Sequence, residues 1–330
     1  MQSIFYDRAN DLAHALQLGA QPGARYVAGG TNLIDLMKGD VEHPVRLVDI
    51  NRIGLDQIAG LPDGGLRIGA LARNSDMAWH PLVRQRYPLL SQALLAGASP
   101  QLRNMATAGG NLLQRTRCPY FTDTAFEHCN KRAPGSGCGA LQGYQRMHAV
   151  LGVSGACIAV HPSDMAVALA ALDAVVVAAL AGGERRIAMA DFHRLPGDTP
   201  QFDTTLERGE MITAIDLPPP RFGQHVHYLK LRDRASYAFA LVSVAVALEM
   251  DGATVRAGQV ALGGVAHKPW RVAAAEALLA GQPLNNERSR QFAARVMEGA
   301  HGYPDNQFKI QLAQRAIVRA LDTAARGERT

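Results

Sequence analysis

The sequence predicts an α+β protein in which a two-part N-terminal domain, residues 1–220, is followed by a smaller C-terminal α+β domain, residues 221–330. Three observations carry this. Strand-like and helix-like runs alternate over residues 1–55; the consecutive Pro218, Pro219 and Pro220 interrupt any regular element; and beyond them two strand-like runs flank Asp251 and Gly252 before the pattern turns helical.

Taken in order, the amphipathic stretch from Asp11 to Leu18 lies among β-like runs, RYVAGG and VRLVDI the clearest, which suits a small βαβ unit over residues 1–55. A second subdomain, residues 56–220, begins near LRIGALARNSDMA, runs through a glycine-rich, cysteine-bearing middle and closes at the prolines. AVALAALDAVVVAAL and YAFALVSVAVALEM are the most apolar runs; each carries acids or is too short to cross a bilayer, so both are expected in the core. HYLKLRD and YAFALVSVAVALEM precede Asp251-Gly252 and TVRAGQVALGGVA follows it, a hairpin signal. Helices are expected to end the chain, because WRVAAAEALLAG and NQFKIQLAQRAIVRALDTAA space their apolar residues helically. No internal repeat or low-complexity segment interrupts this order.

With 330 residues, 48% hydrophobic and 19% charged, the chain is expected to be a soluble globular protein of two or three compact domains rather than a fibre or a tail. Its formal charge of +5 is spread among interspersed acids. That argues against a nucleic-acid footprint and for an ordinary basic surface, or a face that meets an acidic subunit. MQSIFYDRANDLAHAL lacks the basic and apolar regions of an export signal, and no stretch is expected to span a membrane. A cytoplasmic location follows unless a signal-bearing partner carries the chain out.

All four cysteines, Cys118, Cys129, Cys138 and Cys157, fall within one window of the middle region. Disulfides are disfavoured in a chain large enough to build its own core without a secretion signal. Structural zinc usually takes closely spaced cysteine pairs, whereas the spacings here are C-x10-C, C-x8-C and C-x18-C. An iron–sulfur cluster is favoured: Arg115, Arg117, Lys131 and Arg132 stand beside the thiolates to balance their charge, and nearby glycines and prolines let the backbone wrap a bulky body. Zinc stays open, as does a purely structural Cys157 in the apolar run GACIAV. His128 and His148 are near, but four thiolates already complete a cubane.

Two glycine loops point to a phosphate ligand. RYVAGGTNLIDLMK puts Gly29 and Gly30 between a strand-like and a helix-like run, with Thr31 and Asn32 where a helix would present free N–H groups. RNMATAGGNLLQR repeats the arrangement with Thr107, Gly109, Gly110 and Asn111, just before Cys118. Either loop alone reads as a turn. Together they suit the pyrophosphate of a dinucleotide, gripped from both sides and close in sequence to the cysteines. Neither is a G-x-G-x-x-G fingerprint or a P-loop, so a nicotinamide Rossmann domain and an ATPase are unsupported.

The segments AGGTNLIDLMK, ATAGGNLLQ, HPSDMAVALAALDA and KLRDRASYAFALVSVAVAL resemble, in order over nearly the whole chain, the FAD-binding (medium) subunits of the xanthine dehydrogenase, or molybdenum hydroxylase, family. The stretch RCPYFTDTAFEHCNKRAPGSGCGALQGYQRMHAVLG is similar to the iron–sulfur loop, here residues 115–157, of the 4Fe-4S-containing flavin subunits of bacterial periplasmic aldehyde oxidoreductases. The resemblance implies an FAD domain of the vanillyl-alcohol oxidase and p-cresol methylhydroxylase (PCMH) type and a C-terminal domain like that of the CO dehydrogenase flavoprotein. By position, Val27, Ala28, Gly29, Gly30, Thr31, Asn32 and Leu33 become the pyrophosphate loop, with Arg25 and Tyr26 leading into it. Thr107, Ala108, Gly109, Gly110 and Asn111 become the second loop, with alanine at 108 where many members have isoleucine. Asp164 corresponds to an aspartate near the flavin, or is a plain helix cap with Ser163. Lys230 corresponds to a lysine close to the isoalloxazine, or makes an ordinary surface salt bridge. A cation there would stabilise reduced, anionic flavin.

The implied function is electron transfer by FAD and one [4Fe-4S] cluster held by Cys118, Cys129, Cys138 and Cys157. No catalytic residue is expected in this chain: a molybdopterin-containing large subunit would oxidise the aldehyde, and a small subunit with two [2Fe-2S] clusters would pass the electrons on. A quinone, ferredoxin, dye or oxygen is expected as acceptor rather than NAD. Two rival readings are a xanthine or N-heterocycle dehydrogenase subunit and a zinc-stabilised assembly protein. Periplasmic location by co-export goes with the resemblance.

Overall fold

Three sheets organise the protein in the computed structural model, which describes residues 3–327; the outermost positions of the two domains, 1–2 and 328–330, lie outside the described residues. The first sheet is parallel. Strands β1 (Phe5–Arg8), β2 (Ala24–Val27) and β3 (Arg46–Asp49) pair in the order β1-β3-β2. Asp11 caps the crossover helix Leu12–Gly19 by accepting the His14 N–H at 2.8 Å, and the helix lays Ala15, Leu16 and Leu18 on Val48 and Ile50.

The second sheet is antiparallel, in the order β4-β5-β8-β6-β7: Ile58–Gly60, Leu66–Gly69, Met211–Leu217, Val175–Leu180 and Gly183–Ala188. The first glycine loop follows β2 of the first sheet, whereas the second glycine loop and the cysteine loop leave this sheet as one long insertion between β5 and β6. It ends in the helix Asp164–Ala171, all eight of whose residues are buried. A helix apolar all round needs partners on every side. Here they are the helix Pro88–Ala96 on one flank and the third sheet on the other.

That third sheet has β9 (Val226–Leu231), β10 (Val242–Asp251) and β11 (Thr254–Gly263), with two short strands, Trp270–Arg271 and Gln282–Pro283, on β11. Asp251 pairs with Thr254 across the hairpin turn, and Gly252 takes the positive φ the turn requires. Helices Asn286–Val296 and Phe308–Arg326 cover one face. The latter buries Ala313, Ala316, Ile317, Ala320, Leu321 and Ala324, spaced three and four apart, and stops at Gly327 in the left-handed region. Ile317 and Leu321 each contribute about 1.5–3 kcal/mol by leaving water.

The helix expected over WRVAAAEALLAG shrinks to Ala273–Glu276. Pairing of Trp270 with Leu262 draws the start of that segment into the sheet. The Gly281 N–H, bonded to the Val255 carbonyl, draws in its end. Ladder hydrogen bonds override a helical pattern too short to resist them.

Candidate functional site

Strand β2 delivers residues 26–33 to one wall of a cleft, and Thr107, Gly109 and Gly110 form the facing wall. The loops touch: a Cβ on Gly29 would lie 1.8 Å from the Met105 carbonyl oxygen, so only glycine lets them lie side by side. Gly30 takes φ 72°, turning the chain into the helix Leu33–Lys38. Among the described residues nothing accepts a hydrogen bond from the N–H groups of Gly29, Gly30, Thr31, Asn32 or Leu33. Five free N–H groups on one turn are suited to an anion.

The second loop differs from its sequence reading as a matching amide cradle. Ala108 and Gly109 give their N–H groups to the carbonyls of Ala72 and Ala70, while Gly110 and Asn111 give theirs to Thr107. Thr107 caps the helix Ala108–Leu112 and so turns those amides toward the sheet. The loop supplies shape and side chains instead. Ala108 is fully buried beneath it and lines neither cleft. Arg25 also lines neither; it is exposed on β2.

Thr31, Asn32 and Gly110 connect this cleft, about 140 Å³, to a larger one of about 490 Å³ that holds Asn111, Asp164 and Lys230. Asp164 is the first residue of its helix, which Ser163 caps by accepting the Ala166 N–H at 2.9 Å. The carboxylate itself receives the Tyr228 hydroxyl at 2.6 Å and Lys230 Nζ at 2.8 Å. This ion pair is buried, with side chains 8% and 5% exposed, so Lys230 makes no ordinary surface contact. Asn32 Nδ2, Asn74 Oδ1 and Arg117 Nε are buried at the wall of the larger cleft without a hydrogen-bond partner. Two donors and an acceptor left open beside a free amide turn fit a dinucleotide.

The comparisons decide the family. The model of the FAD binding domain in molybdopterin dehydrogenase matches residues 2–220, and that of the CO dehydrogenase flavoprotein C-terminal domain matches residues 227–324. The chain belongs to the molybdopterin dehydrogenase flavoprotein family. It is 55% identical over 327 residues, 98% of this chain and 99% of the other, to the aldehyde oxidoreductase FAD-binding subunit PaoB of Escherichia coli. It is 30% identical to the glyceraldehyde dehydrogenase medium chain of Sulfolobus acidocaldarius, over 97% of this chain and 96% of that one. Carbon monoxide dehydrogenase from Hydrogenophaga pseudoflava matches in structure with a TM-score of 0.76 at 25% identity, over 99% of this chain and 98% of that chain. The α+β class and the FAD cofactor expected from the sequence hold, and the chain is an oxidoreductase component. Among the described residues no helix is long and apolar enough to cross a membrane.

The cysteines of this flavoprotein are all free thiols, Cys129 and Cys157 buried. A bridge joins the backbones of Cys129 and Cys138. Burial first, then repulsion from neighbouring cysteines, pushes the Cys118 thiol up to about 12; Cys129 and Cys157 are the neighbours. Cys157 is raised to about 11 by burial, despite the pull of Lys131, with Cys138 and Cys129 adding repulsion. Cys129 thus lies near Cys118, Cys138 and Cys157, and Cys157 near Cys118 and Cys138. Yet among the described residues no three His, Cys, Asp or Glu side chains converge closely enough to hold a metal ion. His148 Nε2 reaches Cys118 Sγ at 3.1 Å. A cavity of about 220 Å³, lined by Cys118, His148 and Asp164, adjoins the flavin cleft, sharing Arg117, Met147, Asp164 and Phe239 with it.

The cations beside the cysteines behave differently from their sequence reading as counter-charges to sulfur. Asp203 takes Lys131 Nζ at 2.5 Å and Arg115 Nε at 2.8 Å, and Arg115 also pairs with Glu42. Two cations thus meet two carboxylates. Arg132 donates to the Tyr120, Phe121 and Phe126 carbonyls, bracing the loop, and Arg117 stacks on Phe239 at 5.3 Å. Asp203 and Glu42 lie 73 or more residues from Arg115 along the chain, or 72 from Lys131 in the case of Asp203 alone, and left no local sequence signal.

Proposed function

We propose that this chain is the electron-transfer subunit, carrying FAD and one [4Fe-4S] cluster, of a molybdenum-dependent aldehyde oxidoreductase. The observation that carries the reading is the 55% identity, over nearly all of both chains, to a subunit named for aldehyde oxidation. Four free cysteines in one loop, with Cys118 on the wall of the cavity that adjoins the flavin cleft, support the cluster. FAD supplies one-electron exchange with iron–sulfur centres and paired delivery outward, and the cluster supplies a one-electron relay.

The chain's own residues then do the holding. The free amides of residues 29–33 take the pyrophosphate, Asn32 and Arg117 donate into the cleft, and Lys230, fixed by Asp164, sets the charge around the ring. Cys118, Cys129, Cys138 and Cys157 ligate the iron. Residues 1–220 form the cofactor-binding domain, and residues 221–330 close the cleft. The partners are a molybdopterin-containing large subunit and a small subunit with two [2Fe-2S] clusters. The acceptor is a quinone, ferredoxin or oxygen rather than NAD, and the assembly is periplasmic by co-export with a signal-bearing partner.

The test is anaerobic purification of the native complex, followed by metal analysis, visible spectra and assays with aldehydes and N-heterocycles. Flavin bands at about 450 nm with a bleachable iron–sulfur shoulder are expected, together with aldehyde turnover. Turnover of N-heterocycles alone would move the chain to a xanthine-type enzyme, and a zinc-loaded, colourless protein would end the proposal. Cys129→Ser should lose iron and keep FAD; unchanged iron would remove that cysteine from the ligand set.

A further inference from the structure

Lys309, on the helix Phe308–Arg326, is fully buried. Its Nζ donates to the His148 carbonyl at 2.8 Å, the Gly264 carbonyl at 2.5 Å and, more weakly, the Met147 carbonyl at 3.5 Å. No carboxylate among the described residues pairs with it, and the charge it feels is another cation, Arg146. An interior ammonium with only carbonyl partners is unfavourable without a compensating anion. Burial pushes it down to about 7, so the free chain holds the charge only weakly near neutral pH. The residue whose carbonyl it grips, His148, places its ring on Cys118 Sγ at 3.1 Å. Neighbouring Asn306 gives its Nδ2 to the His148 and Ala149 carbonyls, fixing that turn.

We propose that Lys309 is the internal counter-cation of the cluster held by Cys118, Cys129, Cys138 and Cys157, raising its reduction potential and positioning His148 against Cys118. The inference rests on the cluster reading above. A cluster ligated by four thiolates carries net negative charge that grows on reduction, so a fixed buried cation favours the reduced state. Arg115 and Lys131 stand closer in sequence, but their charges are spent on Asp203 and Glu42.

The experiment is an EPR-monitored redox titration of the intact complex with the wild-type chain, Lys309→Met and Lys309→Gln. Both variants should keep their iron and flavin. Reduction of the cluster should become about tenfold less favourable, a midpoint lower by about 59 mV for a one-electron couple. A midpoint unmoved in iron-replete variants overturns the role of Lys309, whereas absence of iron from the wild-type complex overturns the cluster reading instead. Thermal unfolding supplies the second measurement. Lys309→Met should be less stable than wild type when loaded and more stable once iron has been chelated away. The same order in both states, or failure of both variants to accumulate even as iron-free protein, overturns the proposal.

Discussion

Replacing Asp203 by asparagine should loosen the cysteine loop while leaving the flavin cleft filled. The carboxylate is the shared anchor of Lys131, whose side chain is 1% exposed, and of Arg115. Despite burial, their positive charges hold its carboxyl well below the usual carboxylate range, the Lys131 contribution being the larger. At an effective dielectric of about 20, charges in contact at 2.5 Å attract by about 6–7 kcal/mol. Desolvation offsets much of that, and removing one partner of a buried pair typically costs about 3–5 kcal/mol. Asp203 is partly exposed and Arg115 keeps Glu42, so about 3 kcal/mol is expected. Asparagine preserves the volume, which leaves charge as the difference. Urea unfolding at neutral pH should show that loss, and iron should leave the variant before flavin does. A folded carboxyl that titrates low stabilises above its unfolded pKa of about 4 and loses that contribution as pH falls through the folded value. Wild type and variant should accordingly converge in acid. A neutral-pH difference under about 1 kcal/mol, the range of an exposed pair, would refute the buried-anchor reasoning.

Three further outcomes follow. Gly29→Ala drives a Cβ into the Met105 carbonyl and should cost at least about tenfold in FAD affinity, about 1.4 kcal/mol; normal flavin occupancy by calorimetry would contradict the cradle. Lys230→Met strands the buried Asp164 carboxylate with Tyr228 and should lower stability by about 3–5 kcal/mol in thermal or urea unfolding, with Lys230→Arg recovering part of it. Burial keeps His161 well below, and His193 and His267 at about 4, the ordinary imidazole value. Because these folded-state values are depressed, the stabilisation is full above pH 6.5 and is lost as pH falls toward the folded values, by up to about 2 kcal/mol per histidine at pH 5. His193→Gln should flatten that pH dependence, and an unchanged slope would show that another group drives it.

What could be read from the sequence was whatever depends on near neighbours. The βαβ alternation, the Asp251-Gly252 turn and the long terminal helix rest on periodicity and turn chemistry, and they stand in the fold. The first glycine loop was legible for the same reason, since strand, glycines and helix start are contiguous. The second was misread in its chemistry because Ala70 and Ala72, which accept the Gly109 and Ala108 amides, lie more than thirty residues back, in the turn that follows β5. Lys230 and Asp164, 66 residues apart, were both singled out, but their pairing was not. Lys309 gave no signal at all. It occupies the apolar stripe of an amphipathic helix, where a lysine reads as an edge position whose charge reaches water.

The contact between Asp164 and the pair Tyr228 and Lys230 also constrains biosynthesis. A growing polypeptide leaves the ribosome from its N-terminus, and the flavin cleft lacks one wall until β9 has emerged. Cofactor loading is therefore a late step in maturation, and a nascent chain stalled before residue 226 should emerge colourless.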